Sequence, residues 1–518
     1  MDTARIGKNT FGRRKLYTDI VAPKTSDDIA KIFQKAISEH LMNVVDEQYL
    51  YEYEKGRQPI LDRVKPIRSD INNKVALNIA SRIVDVHTGY CFSNPVMLVQ
   101  AGQEDKPHDK DADDTKIGIL NKMFREQKKA SKDLQMARDM MITGLGYEMI
   151  WPTRRKSSAY SPFELMRLSP LTTFVVYSND AYKEPVAAFS YYVRDNGTYA
   201  ITAYTPDWCF SMDSLDQRSA VNIIRVPNLL HCIPIVEFSL PDRCGVFEKV
   251  IPILDAINIA DSDRLNDVAQ HVQSLLWLNN CEIDEEQKKS LVDGDGVIMT
   301  KSDSQKQASI QYLSQVLNQS ETQTLLDHLT RQAEEITSTP SWQEASGGST
   351  TGAMQLSNGW QSLEISAKAV EIAFDDPEVE LLSVALAVIN VSPSKKFDSK
   401  VRELEIADIE IKHSRTKTYD LNSKTNALVS MLNAGVNGLD AMTTVSLFTD
   451  PQQVWNDSKK IINGMQKKLA DTEKPKTENV IPNANAAVDE NGLGGKENDK
   501  KDPTEESKQP SKVAGVEE

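Results

Sequence analysis

Cysteine is scarce in this 518-residue chain: Cys91, Cys209, Cys232, Cys244 and Cys281 are spread without CxxC spacing, and their number is odd. That argues against a disulfide framework and a thiolate metal cage and suits reduced thiols in a cytosol. Long apolar runs are missing too. The densest, Leu381 to Val391, is too short for a bilayer and contains Asn390. The first residues carry Arg5, Lys8, Arg13, Arg14 and Lys15 without an apolar stretch, so no secretory signal is expected. A soluble protein made in a cytoplasm is the expectation. There is no basic excess either: 60 Lys and Arg stand against 75 Asp and Glu, a formal charge of −15. A tight sequence-specific DNA binder would show a basic face, so any contact with nucleic acid should be loose.

Catalytic signatures are also wanting. The sequence has no GxSxG, no HExxH, no Walker A loop and no GxGxxG between a strand and a helix. Gly494-Gly495-Lys496 runs into Glu497 rather than Ser or Thr. His231 adjoins Cys232, but neighbours on a strand point to opposite faces, which favours structural roles over a nucleophile and base. His40, His87, His108, His271, His328 and His413 have no ligand spacing. An enzyme whose groups converge only in the fold stays open.

What is present is length and 40% apolar residues, enough for two to four subdomains or an elongated shape with local cores. The periodicity predicts helices over 27–55 and 70–89. Between Gly144 and Phe238 short runs rich in Val, Ile, Tyr and Phe predict strands at 147–151, 173–177, 186–193, 199–204 and 233–238, with Asn196-Gly197 as a hairpin turn. From Val246 to Leu275 apolar residues recur at three and four, and a helix unbroken to Asn280 would be roughly 54 Å long, with Pro252 able to kink its start. A polar insert from Cys281 to Tyr312 follows, then a returning helix with Leu325, Leu329, Ala333 and Ile336 that Pro340 ends. Small polar residues from Ser341 to Gly352 form a flexible loop. Leu356, Trp360, Leu363, Ala367, Val370 and Phe374 then trace the seam of a long helix that Pro377 should bend or end. A strand-like stretch near 406–411, helical pieces between 418 and 469, and a tail from 471 to 518 whose composition cannot fold complete the chain. The fold class is α+β, mostly helical.

Within the first of the two long helices Asp255, Asp261, Asp263 and Asp267 make a candidate acidic face. If it lined a wide channel it would repel phosphates, although the residues alone favour an ordinary solvated helix face. No second ligand cluster accompanies these carboxylates, so neither a metal nor a cofactor is expected.

Several strings, taken in order, carry a resemblance: DINNKVALNIASRIVDVHTGYCFSNPV (Asp70–Val96), GLGYEMIW (Gly144–Trp151), VVYSNDAYKEPVAAFSYY (Val175–Tyr192), IPIVEF (Ile233–Phe238), FEKVIPILDAINIADSDRLND (Phe247–Asp267) and GGSTTGAMQ (Gly347–Gln355). Their order and spacing resemble the portal proteins of long-tailed double-stranded DNA bacteriophages. Pro377 departs from that pattern, and nothing after Asp420 carries a signature. The resemblance implies a homo-oligomeric ring, usually dodecameric, at one capsid vertex of the virion, assembled in the host cytoplasm and without catalysis of its own. It implies an N-terminal segment over 1–40, a wing over 41–240 with a return at 391–412, stem helices at 245–280 and 318–340, a clip at 281–315, a long helix at 353–390, a crown at 413–470, and a free tail. It also implies a tunnel loop at 341–352 that would present Trp342, Gln343, Glu344, Gly347, Gly348, Ser349, Thr350, Thr351 and Gly352 to double-stranded DNA without reading its sequence. Terminase, scaffolding and major capsid proteins and a head-completion adaptor are the implied partners, with no membrane. A helical adaptor or scaffold without a channel would share the helical seam but give no reason for the Gly-rich loop.

Overall fold

Thr25 starts the first long helix. Its hydroxyl accepts the Asp28 N–H at 3.2 Å while the Asp28 carboxylate accepts the Thr25 N–H at 3.0 Å, a reciprocal cap for two otherwise orphaned donors. The computed structural model describes residues 12–66, 69–101, 115–153, 160–214, 219–272, 275–279, 309–313, 319–341, 359–393 and parts of 397–459. The chain divides into two units, Met1–Asn456 and Asp457–Glu518, and every element named below lies in the first.

In chain order the elements begin with β1 (Leu16–Thr18), α1 (Ser26–Glu54), α2 (Ile79–Phe92), β2 (Met97–Gln100), α3 (Lys116–Glu126), α4 (Lys129–Thr143), β3 (Leu145–Pro152) and β4 (Phe163–Leu168). They continue with β5 (Thr173–Ser178), β6 (Pro185–Val193), β7 (Tyr199–Tyr204), β8 (Trp208–Ser214), β9 (Val221–Pro227), β10 (Ile235–Ser239) and α5 (Ile251–Val272). Then come β11 (Leu275–Asn279), β12 (Ser309–Leu313), α6 (Gln319–Ile336), α7 (Trp360–Val391), β13 (Ile409–Lys412), α8 (Leu421–Asn433) and α9 (Gly438–Val445). The protein is α+β and mostly helical.

The strands read from sequence are buried on both sides, which is why their apolar runs are nearly continuous. A six-stranded sheet has the order β1-β5-β6-β7-β8-β9, and a three-stranded one β10-β3-β4. Alternation along β5 sends Phe174 and Val176 to the core under α1, with Ile29, Ile32 and Phe33, and Val175 to a second core shared with Leu145, Tyr147 and Met149 of β3. The other side of β3, with Ile150, meets the largest core, built on α2, α3, α4, α5 and α7. The layers are therefore α1, the large sheet, the small sheet and a helical layer. Gly144 makes the turn from α4 into β3: it sits at φ +82°, and a Cβ there would collide with the Arg243 carbonyl. The Asn196-Gly197 hairpin joins β6 to β7 as expected, with Gly197 at φ +79°.

Several expectations are corrected. The helix over 70–89 begins only at Ile79, because residues 73–77 run extended along α5 and take their hydrogen bonds from its side chains. The N–H groups of Asn73, Val75 and Leu77 donate to Asn266 Oδ1 at 2.7 Å, Ser262 Oγ at 2.9 Å and Asn258 Oδ1 at 2.8 Å. Asn266 and Ser262 in turn donate to the carbonyls of Asn73 and Val75. Polar side chains four residues apart on one helix thus stand in for a neighbouring strand. The helix drawn to Asn280 ends at Val272, about 33 Å long, and β11 follows; Pro252 lies in its first turn, where no kink results. Pro377 does not end the long helix, which passes through it to Val391. His231 and Cys232 lie in a turn with His231 at φ +53°, not on a strand. The strand expected near 406–411 is β13, which pairs antiparallel with β2. Most of the polar insert, all of the expected loop 341–352 except Ser341, and the tail 471–518 fall outside the described residues.

The Asn258→Ala variant would leave the Leu77 N–H without its acceptor and Gln58 Oε1 without its donor. A loss of about 1–3 kcal/mol in unfolding free energy is expected, read by urea denaturation. The same substitution at exposed Asn433 should change it little.

Candidate functional site

The two helices α5 and α6 pack against each other, and the chain that leaves α5 and re-enters α6 is tied by the antiparallel pair β11 and β12. Arg264 of α5 reaches Gln323 of α6. The four aspartates of α5 do not form one row, since 100° per residue puts Asp261 far around the helix from Asp255 and Asp263. Asp255 points inward and accepts the Tyr53 hydroxyl at 2.9 Å; burial raises its carboxyl above the ordinary range although Tyr53 pulls the other way. Asp263 takes Arg63 at 2.9 Å and Lys65 at 3.2 Å. Partial burial opposes its ionisation, but the two cations outweigh that and hold it below the usual carboxylate range. Among the described residues Asp261 and Asp267 make no hydrogen bond or ion pair, and Asp267 is exposed. The polar face that the helix spends on its own chain is Asn258, Ser262 and Asn266, which sequence reasoning overlooked although the spacing of four was visible.

The far end of α6 is held more firmly. Arg82 of α2 donates to Glu334 Oε1 at 2.7 Å and to the Pro340 carbonyl at 2.9 Å. His87 bonds the Thr337 carbonyl through Nε2 at 2.8 Å. A carbonyl only accepts, so Nε2 carries hydrogen, and burial lowers the imidazole's affinity for a second proton. Ser338 turns the chain at φ +53°. The root of the next segment is narrow: a Cβ added at Gly359, which sits at φ +81°, would stand 3.8 Å from the Pro340 Cα. Pro340 and Gly359, which flank residues 341–358 in the sequence, therefore stand side by side. Trp342, Gln343, Glu344, Gly347, Gly348, Ser349, Thr350, Thr351 and Gly352 all belong to that stretch and lie outside the described residues.

At the returning side Trp360 lies against Tyr90, ring centroids 6.1 Å apart. The Tyr90 hydroxyl donates to Glu364, which with Glu371 also receives Arg415; His413 reaches Asp375 at 2.7 Å. The acidic row Glu364, Glu371 and Asp375 on α7 thus fastens the chain that follows β13. Arg82, His87, Tyr90, Glu364 and Arg415 come from separate stretches, so no local spacing announces them. What they form is a clamp that ties α2 to the end of α6 and to the start of α7. Among the described residues no group of three His, Cys, Asp or Glu is placed to hold a metal, and no helix is long and apolar enough to cross a membrane.

Residues 34–468 match the family described as "Phage portal protein, SPP1 Gp6-like". Among solved structures, a chain from "Neck of empty GTA particle computed with C6 symmetry" aligns over 72% of this chain and 90% of that one, at 12% identity and a TM-score of 0.43. No curated protein matches the chain.

Replacing Arg82 with Ala would leave Glu334, whose side chain is only 9% exposed, without its cation and the Pro340 carbonyl without a donor. The expected result is faster hydrogen exchange over 333–340 at a cost of about 1–3 kcal/mol, with β5 to β8 unchanged.

Proposed function

The chain belongs to the SPP1 Gp6-like family of phage portal proteins, and from that premise we propose that it forms a ring-shaped channel at one capsid vertex. Through this channel a terminase drives double-stranded DNA inward, and the same channel later releases it. The observation that carries the reading beyond the family is the narrow root at Pro340 and Gly359. It brings Pro340, after α6, beside Gly359, before α7, which supports reading the residues between them as a loop that meets DNA in the lumen. On this reading 41–240 with the return at 391–412 is the wing, and 245–280 with 318–340 the stem. Residues 281–315 are the clip, which meets the terminase first and a head-completion adaptor afterwards, and 413–470 are the crown. The β13–β2 pairing supports a return to the wing.

Two physical features support a ring. Ile259, Leu265 and Val268 on α5 and Leu325 and Ile336 on α6 are 40–54% exposed, more apolar surface than a pair of helices leaves to water by choice. Neighbouring copies would cover it. The formal charge of −15 makes each subunit a weak partner for phosphates. Asp261 and Asp267, unpaired among the described residues, keep that repulsion on the stem, where it discourages DNA from sticking over a Debye length of about 8 Å. Asp255 and Asp263 contribute little to such a lining, being bound to Tyr53, Arg63 and Lys65. The protein has no catalysis of its own in this account; ATP hydrolysis belongs to the terminase. Scaffolding and major capsid proteins surround the ring during assembly.

Deleting Gly347 to Gly352 is expected to leave ring assembly intact while packaging or DNA retention falls, measured as DNA-filled heads. Normal filling with the shortened loop would remove the loop from the mechanism.

A further inference from the structure

The helix-facing side of β3 holds a group of charges sealed from water. Lys129, the first residue of α4, places Nζ 2.8 Å from Asp133 Oδ1 one turn on and 2.9 Å from Glu378 Oε1 of α7. The rings of Phe124 and Phe374 stand 5.7 and 5.9 Å from the ammonium. The fourth member is Glu148 in β3, 0% exposed, with no hydrogen-bond partner for either carboxyl oxygen.

An ionised carboxylate can only accept, and one that has lost its water without gaining a donor is in its most costly state. Asp133 and Glu378 already exceed the single charge of Lys129, so a third anion would be uncompensated. The remaining charges around Glu148 do not relieve it. Lys132 of α4 donates to the Leu165 carbonyl, and Arg167, opposite Glu148 across β4, is committed to Asp139. Glu164 on β4 acts on Lys132 and Asp375 on α7 acts on Glu378, so both add negative charge at the edge of the group. Burial and the Asp133 charge push the Glu148 carboxyl far up, and burial lifts Glu378 to about 7 against the pull of Lys129.

Glu378 follows Pro377 directly. Proline cannot donate the N–H that a continuous helix would give to the Ala373 carbonyl, so this turn of α7 lacks one bond of its ladder and leans more on its side chains. Phe374 and Leu381 anchor it in the core, and the Glu378 to Lys129 pair is its polar contact there.

We propose that Glu148 carries one proton, and that Lys129, Asp133, Glu148 and Glu378 form a proton-dependent latch holding the Pro377 turn of α7 on α4 and β3. Only the Glu148 O–H bond breaks when the latch opens, and its proton goes to solvent. The latch thus acts on α7, the helix that begins at Trp360. It stands whether or not copies assemble into a ring. The sign follows from linkage. A carboxyl that keeps its proton folded and loses it when opened stabilises the closed form fully below the ordinary Glu range, and that stability is lost as pH rises toward the folded value.

Hydrogen exchange of the full-length protein tests this in peptides covering 370–385, comparing wild type with Glu148→Gln and Glu148→Met between about pH 6 and 8. Both variants fix the position as neutral. Protection in the wild type should fall relative to either variant by about tenfold per pH unit, the linkage of one proton. A ratio that stays constant with pH overturns the proposal, as does a variant less protected than wild type at every pH. Failure of both variants to fold also overturns it, since a neutral side chain that makes no bond is replaceable by Met.

Discussion

Backbone that leaves a helix or sheet must still find partners for its N–H and C=O groups, and that obligation fixes how α5 is mounted. Residues 73–77 have no strand beside them. Asn258, Ser262 and Asn266 supply the missing ladder from one face of the helix, and Tyr53 and Gln58 add bonds to Asp255 and Asn258. With α5 set in this way, α6 packs on it, and Arg82 and His87 of α2 bind the end of α6. The root at Pro340 and Gly359 is placed by the same chain of contacts. A substitution in the polar face of α5 therefore acts on the mounting of both helices and not only on a local turn.

Periodicity in the sequence was enough to find α1, the strands β5, β6 and β7 of the large sheet, β3 and β10 of the small one, and the buried seam of α7, because each has an apolar repeat that agrees with its burial. It failed over 70–78, where Ile71, Val75 and Leu77 mimic a helical stripe. There the decision lies with side chains nearly two hundred residues away, and no window contains both partners. It also overran the end of α5, since Leu275, Trp277 and Leu278 continue an apolar pattern that a short strand satisfies as well. β1, β4, β8 and β9 were missed; β9 is mostly exposed, so its residues carry little pattern. The proline in α7 misled in the opposite direction, because packing on both sides of Pro377 outweighs the lost hydrogen bond.

The candidate acidic face shows the limit of reading charge from spacing. Asp255 and Asp263 look identical to Asp261 and Asp267 in the sequence, yet the first two are consumed by Tyr53, Arg63 and Lys65. Charge buried in the body follows another rule. Lys129, Asp133, Glu148 and Glu378 are gathered where α4, β3 and α7 meet, and the balance there depends on a proton rather than on salt. Exposed acids tune how the surface treats phosphates, whereas the buried ones tune how tightly helices are held.

The most direct measurement is the mass of the purified full-length protein under native conditions, with images of the same sample. The account predicts a ring with a central hole, at about 700 kDa for twelve copies of a 57.9 kDa chain. A large assembly without a hole would contradict a channel.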